Sequence, residues 1–92
     1  MNTTSSAQRA PGVAVVTGGA RGIGLAIGRW FLQRGWRVSL WDIDAATLGT
    51  TEKTLADPER VHAVHMDVAK PAQVERALTA TDQRFGRIDA LV

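Results

Sequence analysis

The sequence predicts an α/β fold, a parallel doubly wound sheet assembled as β-α-β-α-β-α-β. Three observations carry this expectation. Four short apolar runs alternate with three stretches of helical periodicity, the connections between them are only a few residues long, and a glycine-rich turn separates the first strand from the first helix. Strands joined through an intervening helix pair as crossovers, and crossovers build parallel sheets with helices on both faces. The strand order expected is 3-2-1-4.

The first strand is residues 13–17, Val13-Ala14-Val15-Val16-Thr17, after Pro11 and Gly12. A continuous apolar run of this length suits a strand covered on both faces. Gly18 and Gly19 end it, and residues 23–34 read as a helix with Ile23, Ile27, Trp30 and Phe31 on one apolar face and Trp30 expected in the core. Gly35 is placed to cap that helix. Residues 36–41 form the second strand, ending at Asp42. A weaker helix follows, with Leu48 and Leu55 seven residues apart, Asp44 as its expected cap and Asp57-Pro58 closing it. Residues 61–66 make the third strand, ending at Asp67. Val74, Leu78, Thr81 and Phe85 then repeat helical spacing up to Gly86, and residues 88–92 begin a fourth strand.

The chain has 92 residues, 45% of them hydrophobic, which is room for one domain and material for its core. A domain of this size buries only about 60–65% of the surface its unfolded chain exposes, so its stability is expected to be limited. Eleven basic residues stand against nine acidic ones, a net charge of +2, with no Lys or Arg run. That balance argues against a nucleic-acid partner, and no stretch approaches membrane-spanning length. There is no cysteine for a disulfide or a thiolate metal site. The polar residues 1–11 lack the apolar stretch of a secretory signal and are expected to form a flexible tail on a cytoplasmic protein.

The run Thr17-Gly18-Gly19-Ala20-Arg21-Gly22-Ile23-Gly24 sits at the strand-to-helix junction. Gly18 permits a tight turn with backbone angles closed to other residues. Gly22 and Gly24 remove side chains where a pyrophosphate or the neighbouring strand comes close, and the helix that starts there offers free N–H groups and the positive end of its dipole. Gly28, one turn on, costs about 1 kcal/mol of helix propensity relative to alanine, and close helix–sheet packing is a reason to tolerate it. The triphosphate loop is excluded because Gly22-Ile23-Gly24 brings no lysine.

The spacing Thr-Gly-x-x-x-Gly-x-Gly resembles the cofactor motif of the short-chain dehydrogenase/reductase family. Asp42 at a strand end, Asp67-Val68, and Phe85-Gly86-Arg87-Ile88-Asp89-Ala90-Leu91-Val92 resemble further segments of that family in the same order, so the resemblance covers residues 12–92. It implies a Rossmann-type fold, here the amino-terminal half of one, with residues 12–92 as a partial NAD(P)-binding domain that ends within its fourth strand. The cofactor-binding positions implied are Thr17, Gly18, Arg21, Gly22, Ile23, Gly24, Asp42, Ile43, Asp67 and Val68. In this likeness the glycine turn cradles the pyrophosphate, Thr17 steadies the turn, the backbone of Ile23 faces the cofactor, and Asp67 with Val68 lines the adenine pocket. Helix capping or a solvated position is the lesser alternative for Asp67.

Asp42 lies eighteen residues after Gly24, where the adenosine ribose would rest. A carboxylate there accepts hydrogen bonds from both ribose hydroxyls and repels a 2′-phosphate, so NAD is expected over NADP. Arg21 pulls the other way, because a basic residue just before the second motif glycine resembles a feature of NADP-preferring members.

The family's Asn-Asn-Ala-Gly segment, catalytic serine and Tyr-x-x-x-Lys have no counterpart here, and the chain contains no tyrosine. The expectation is therefore a dinucleotide-binding portion, inactive alone, of an oxidoreductase that moves hydride between an alcohol or ketone and the cofactor, and that is a homo-oligomer when complete. A non-catalytic dinucleotide-binding module fits the same residues. A methyltransferase of similar topology is disfavoured, since its glycine loop usually follows an acid and Thr17 stands there instead. With its last strand as an open edge, the isolated chain is expected to be marginally stable or to associate. His62 and His65, three apart on a strand, point to opposite faces and cannot share a metal. Trp36 and Trp41 flank the second strand, where packing is a plainer role for Trp41 than touching adenine.

Overall fold

A computed structural model describes residues 11–92, and the tail expected over residues 1–11 lies outside the described residues but for Pro11. The elements are β1 (Val13–Thr17), α1 (Gly22–Gln33), β2 (Arg37–Asp42), α2 (Ala45–Leu55), β3 (Val61–His65), α3 (Pro71–Phe85) and β4 (Ala90–Leu91). All three strand pairings are parallel and the order is β3-β2-β1-β4, the expected doubly wound arrangement.

Side-chain alternation divides the core into two layers, because neighbouring residues of a strand point to opposite faces. Ala14, Val16, Val38, Leu40 and Val61 pack beneath α1 and α2 with Ala20, Leu48, Ile27, Phe31 and Leu32. Val15 and Trp41 point the other way, toward Met66, Ala77 and Val74 under α3. β1 is apolar throughout because both its faces are covered, and Val13, Ala14, Val15 and Val16 are fully buried.

Helix faces differ from the periodicity in two places. Trp30 is 49% exposed and Ile23 81% exposed, so neither belongs to the core. Only Ile27 and Phe31 of the expected quartet pack inward, because Gly28 is the residue seated against the sheet, and it turns positions 23 and 30 outward. A Cβ at Gly28 would lie 3.0 Å from Leu40 Cδ2, which is the close packing that glycine allows. On α3, Ala77 rather than Leu78 faces the sheet, with Val74, Thr81 and Phe85.

Strand limits shift for identifiable reasons. Trp36 belongs to the end of α1, not to β2: its N–H donates to Phe31 O at 3.1 Å and Gly35 N–H to Leu32 O at 3.0 Å, with Gly35 at φ +83°. This is a Schellman cap, and the Trp36 ring packs against Phe31 as such caps favour. β4 is shorter than residues 88–92, although ladder bonds from Asp89 N–H to Val13 O at 2.8 Å and from Thr17 N–H to Val92 O at 2.9 Å flank it; at its amino-terminal end the Asp89 carboxylate takes the Val13 N–H at 2.8 Å. Trp41 is 2% exposed and serves packing. No helix of the described residues is long and apolar enough to cross a membrane.

Candidate functional site

Parallel β-α units bring every strand-to-helix loop to one edge of the sheet, at the carboxyl ends of the strands. The ten residues singled out above lie at the carboxyl ends of β1 and β2, in the loops after β1, β2 and β3, and at the start of α1, and the fold gathers them on that edge.

The loop after β1 is a turn that only glycine can make in this form. Gly18 and Gly22 have φ of +64° and +58°, and a Cβ on either would meet nothing within 4 Å. Glycine is needed there for backbone conformation, and the space above it stays open. Gly24 is different: its missing Cβ would collide with the Gly18 carbonyl, so the helix start and the turn are in backbone contact. The expected division of labour is thus refined, with Gly24 serving the turn's own packing. α1 begins at Gly22 without a side-chain cap from Arg21 and without an acid in its first turn. Its first capping bond runs from Leu25 N–H to Arg21 O, so the amides of Gly22, Ile23 and Gly24 precede the helical ladder and can serve an anion. Thr17 faces the other side: its hydroxyl donates to Val92 O at 2.8 Å and joins the start of the turn to the edge strand.

Asp42 is the hinge of the site. Its Oδ2 accepts the Ala20 N–H at 3.0 Å and its Oδ1 accepts the Asp44 N–H at 2.9 Å. One carboxylate therefore clamps the glycine turn to the loop after β2. A carboxylate has about four acceptor positions, so two are left for hydroxyl groups from outside. Asp44 caps α2 as expected, accepting from Thr47 N–H at 3.0 Å and from the Thr47 hydroxyl at 2.7 Å. Its second oxygen also takes the Arg21 guanidinium at 3.1 Å. The bonds from Thr47, the backbone one foremost, and the charge of Arg21 hold the Asp44 carboxyl below the usual carboxylate range.

The loop after β3 closes the edge. Asp67 Oδ1 accepts the Ala69 N–H at 2.9 Å, a local turn, and Lys70 rather than Asp67 stands at the start of α3. Ile43 is 63% exposed and Val68 57% exposed, two large apolar side chains left in water on loops that flank Asp42. They give the edge apolar surface near the backbone donors at the start of α1, the composition of a site for a ligand with both aromatic and phosphate parts, whereas the Ile23 side chain lies with Ala26 and Trp30 on the outer face of α1.

Two residues that the motifs did not single out hold these loops in place. His65 Nε2 lies 3.0 Å from Ile43 O and ties the second loop to β3, and the Gln73 side chain accepts the Asp67 N–H at 2.8 Å. Neither stands at a motif position, and only the folding of the loops brings them to their partners. Among the described residues, no three His, Asp or Glu side chains form a group that could hold a metal ion.

Residues 12–92 match the family model for short chain dehydrogenase. The 2-(R)-hydroxypropyl-CoM dehydrogenase of Xanthobacter autotrophicus is 46% identical over 82 residues, a stretch covering 87% of this chain and 33% of that protein. Galactitol 2-dehydrogenase of Agrobacterium fabrum is 40% identical over 80 residues, covering 87% of the chain and 30% of the relative. Among solved structures, a short chain dehydrogenase/reductase from Burkholderia phymatum in complex with NAD superposes with a TM-score of 0.83 at 33% identity, over 88% of this chain and 29% of that one. The chain spans about a third of the length of the proteins it matches. With the parallel 3-2-1-4 sheet and the glycine turn in place at its carboxyl edge, the chain belongs to the short-chain dehydrogenase family.

Proposed function

We propose that residues 12–92 act as the NAD(H)-binding portion of an oxidoreductase that transfers hydride between an alcohol or ketone and a nicotinamide cofactor. The observation that carries the reading is the Asp42 carboxylate, clamped against the glycine turn with two acceptor positions left open. The residues present fit a dinucleotide. The first-turn amides of α1 and the open space above Gly22 suit the pyrophosphate, Asp42 suits the two ribose hydroxyls, and exposed Ile43 and Val68 suit the faces of the adenine, with Asp67 at its edge. When bound, the nicotinamide supplies the redox chemistry. This chain's own part is to bind and orient the adenosine and pyrophosphate, which fixes where the rest of the cofactor emerges from the sheet edge.

A negative charge at Asp42 disfavours a 2′-phosphate, which supports NAD over NADP. Two relatives named above are named for hydroxyl-bearing compounds, which supports an alcohol or ketone as the substrate class. On this reading the proton-transferring groups and the contacts that make a homo-oligomer are not among residues 12–92, and the whole protein works in the cytoplasm.

The test is calorimetric titration of the full chain with NAD⁺ and NADP⁺, before and after Asp42→Ala. Two charge-assisted hydrogen bonds are worth about 1.5–3 kcal/mol each, so loss of the carboxylate weakens NAD⁺ binding by about a hundredfold or more, and NADP⁺ binding by less. Circular dichroism checks that the variant keeps its helices. Failure of the unaltered chain to bind NAD⁺, or tighter binding of NADP⁺, overturns the reading.

A further inference from the structure

Arg21 carries the one feature of the glycine turn that argues against NAD, and its guanidinium is already engaged. Nη2 lies 3.1 Å from Asp44 Oδ2, across the mouth between the loop after β1 and the loop after β2. The two ends of this pair are built differently. Asp44 is fixed, with Oδ1 and Oδ2 accepting from the amide and hydroxyl of Thr47, and its backbone N–H held by Asp42. The Arg21 side chain is 70% exposed, and among the described residues this contact is the one hydrogen bond it makes. A fixed carboxylate thus holds an exposed cation near the carboxylate of Asp42.

We propose that Asp44 is a specificity-determining residue, which occupies Arg21 and so withholds from a 2′-phosphate the cation that would otherwise receive it. The proposal rests on the reading of Asp42 as the ribose ligand. A phosphate monoester placed at the ribose 2′ position would carry close to two negative charges and three acceptor oxygens, chemistry that a guanidinium fork binds well when free. With Asp44 in place the same phosphate meets two carboxylates and a cation whose charge is partly offset. An exposed ion pair is weak and screened by salt, so one substitution suffices to release Arg21 and the effect is moderate in size.

Asp44→Asn separates this role from helix capping, since asparagine caps a helix about as well as aspartate and keeps an oxygen for the Thr47 N–H. Dissociation constants for NAD⁺ and NADP⁺ are measured by titration on the full chain, for the unaltered protein, Asp44→Asn, Arg21→Ala and the double variant. Asp44→Asn is expected to tighten NADP⁺ binding about five- to tenfold while NAD⁺ stays within about twofold, and the gain is expected to shrink between low and high salt. Arg21→Ala alone changes NADP⁺ binding by less than about twofold, and in the double variant most of the gain disappears, leaving only the relief of the Asp44 charge itself, a coupling that a mere capping role would not produce. An unchanged NADP⁺ affinity in Asp44→Asn, or an equal change for both dinucleotides, overturns the proposal while leaving the reading of Asp42 intact. If the unaltered chain binds neither dinucleotide, both fall together.

Discussion

The indole Nε1–H of Trp41 donates to Ser39 Oγ at 2.9 Å, in a layer between β2 and α3 where both residues are buried. Ser39 Oγ also lies 2.9 Å from Thr81 Oγ1 and 3.1 Å from His62 Nδ1. A hydroxyl has one proton and two acceptor positions. The arrangement that uses every proton has Trp41 and Thr81 donating to Ser39, and Ser39 donating to an unprotonated Nδ1 of His62. In that arrangement His62 carries its proton on Nε2. A polar chain of four side chains thereby locks α3 to the sheet on the face where the apolar layer is thin.

Ser39→Ala removes the centre of that chain and leaves a buried indole N–H whose next acceptor, Thr81 Oγ1, is 3.4 Å away. The expected loss is about 1–3 kcal/mol of stability, read from urea denaturation. An unchanged midpoint would mean that Thr81 moves in to take the indole and that the serine is dispensable.

Protonation of His62 would place a second proton on Nδ1, facing an oxygen whose acceptor positions are both used. Burial pushes the His62 pKa below its ordinary value of 6.5, the charge of Arg84 pushes it the same way, and Glu52 partly opposes them. The unfolded chain therefore binds this proton more readily than the folded one. Stability is full above about pH 6.5 and falls as the pH drops through 6.5 toward the lower folded value. The carboxyls of Asp44 and Asp89 are both held below the ordinary 3.8, Asp89 chiefly by Arg87, and so titrate outside this window. The melting temperature is expected to be a few degrees lower at pH 5.5 than at pH 7.5, and His62→Gln to flatten that difference. A difference that survives the substitution would assign the dependence to another group.

The glycines of the turn and of α2 give opposite expectations. Gly24→Ala sets a methyl against the Gly18 carbonyl, backbone against backbone, and neither can yield without opening the turn. The cost is expected at the upper end of about 1–3 kcal/mol, with loss of dinucleotide binding. Gly49 lies inside α2 with nothing within 4 Å of an added Cβ. Gly49→Ala is expected to stabilise the chain by about 0.5–1 kcal/mol through helix propensity. Paired thermal melts of the two variants check both signs, and a destabilising Gly49→Ala would show that α2 depends on bending at that point.

The element order, the parallel sheet and its 3-2-1-4 arrangement were legible in residues 13–92, because strand and helix periods differ and short connections leave few topologies. The glycine turn, Asp42 at its strand end and Asp44 as a cap were legible for the same local reason, since each depends on a few neighbouring residues. What the tertiary structure decided was orientation and partnership. Gly28 seated on Leu40 turned Trp30 and Ile23 outward, although their spacing matches that of the inward residues. The Schellman cap drew Trp36 out of β2, and the Asp89 side chain reached Val13 at the amino-terminal end of β4. The Asp42 bond to Ala20, the Arg21 pair with Asp44 and the Ser39 cluster join residues 22, 23 and 42 positions apart. No local pattern encodes such a contact, because it exists only once the crossovers have brought the carboxyl ends of neighbouring strands to one edge and laid α3 over β2 and β3.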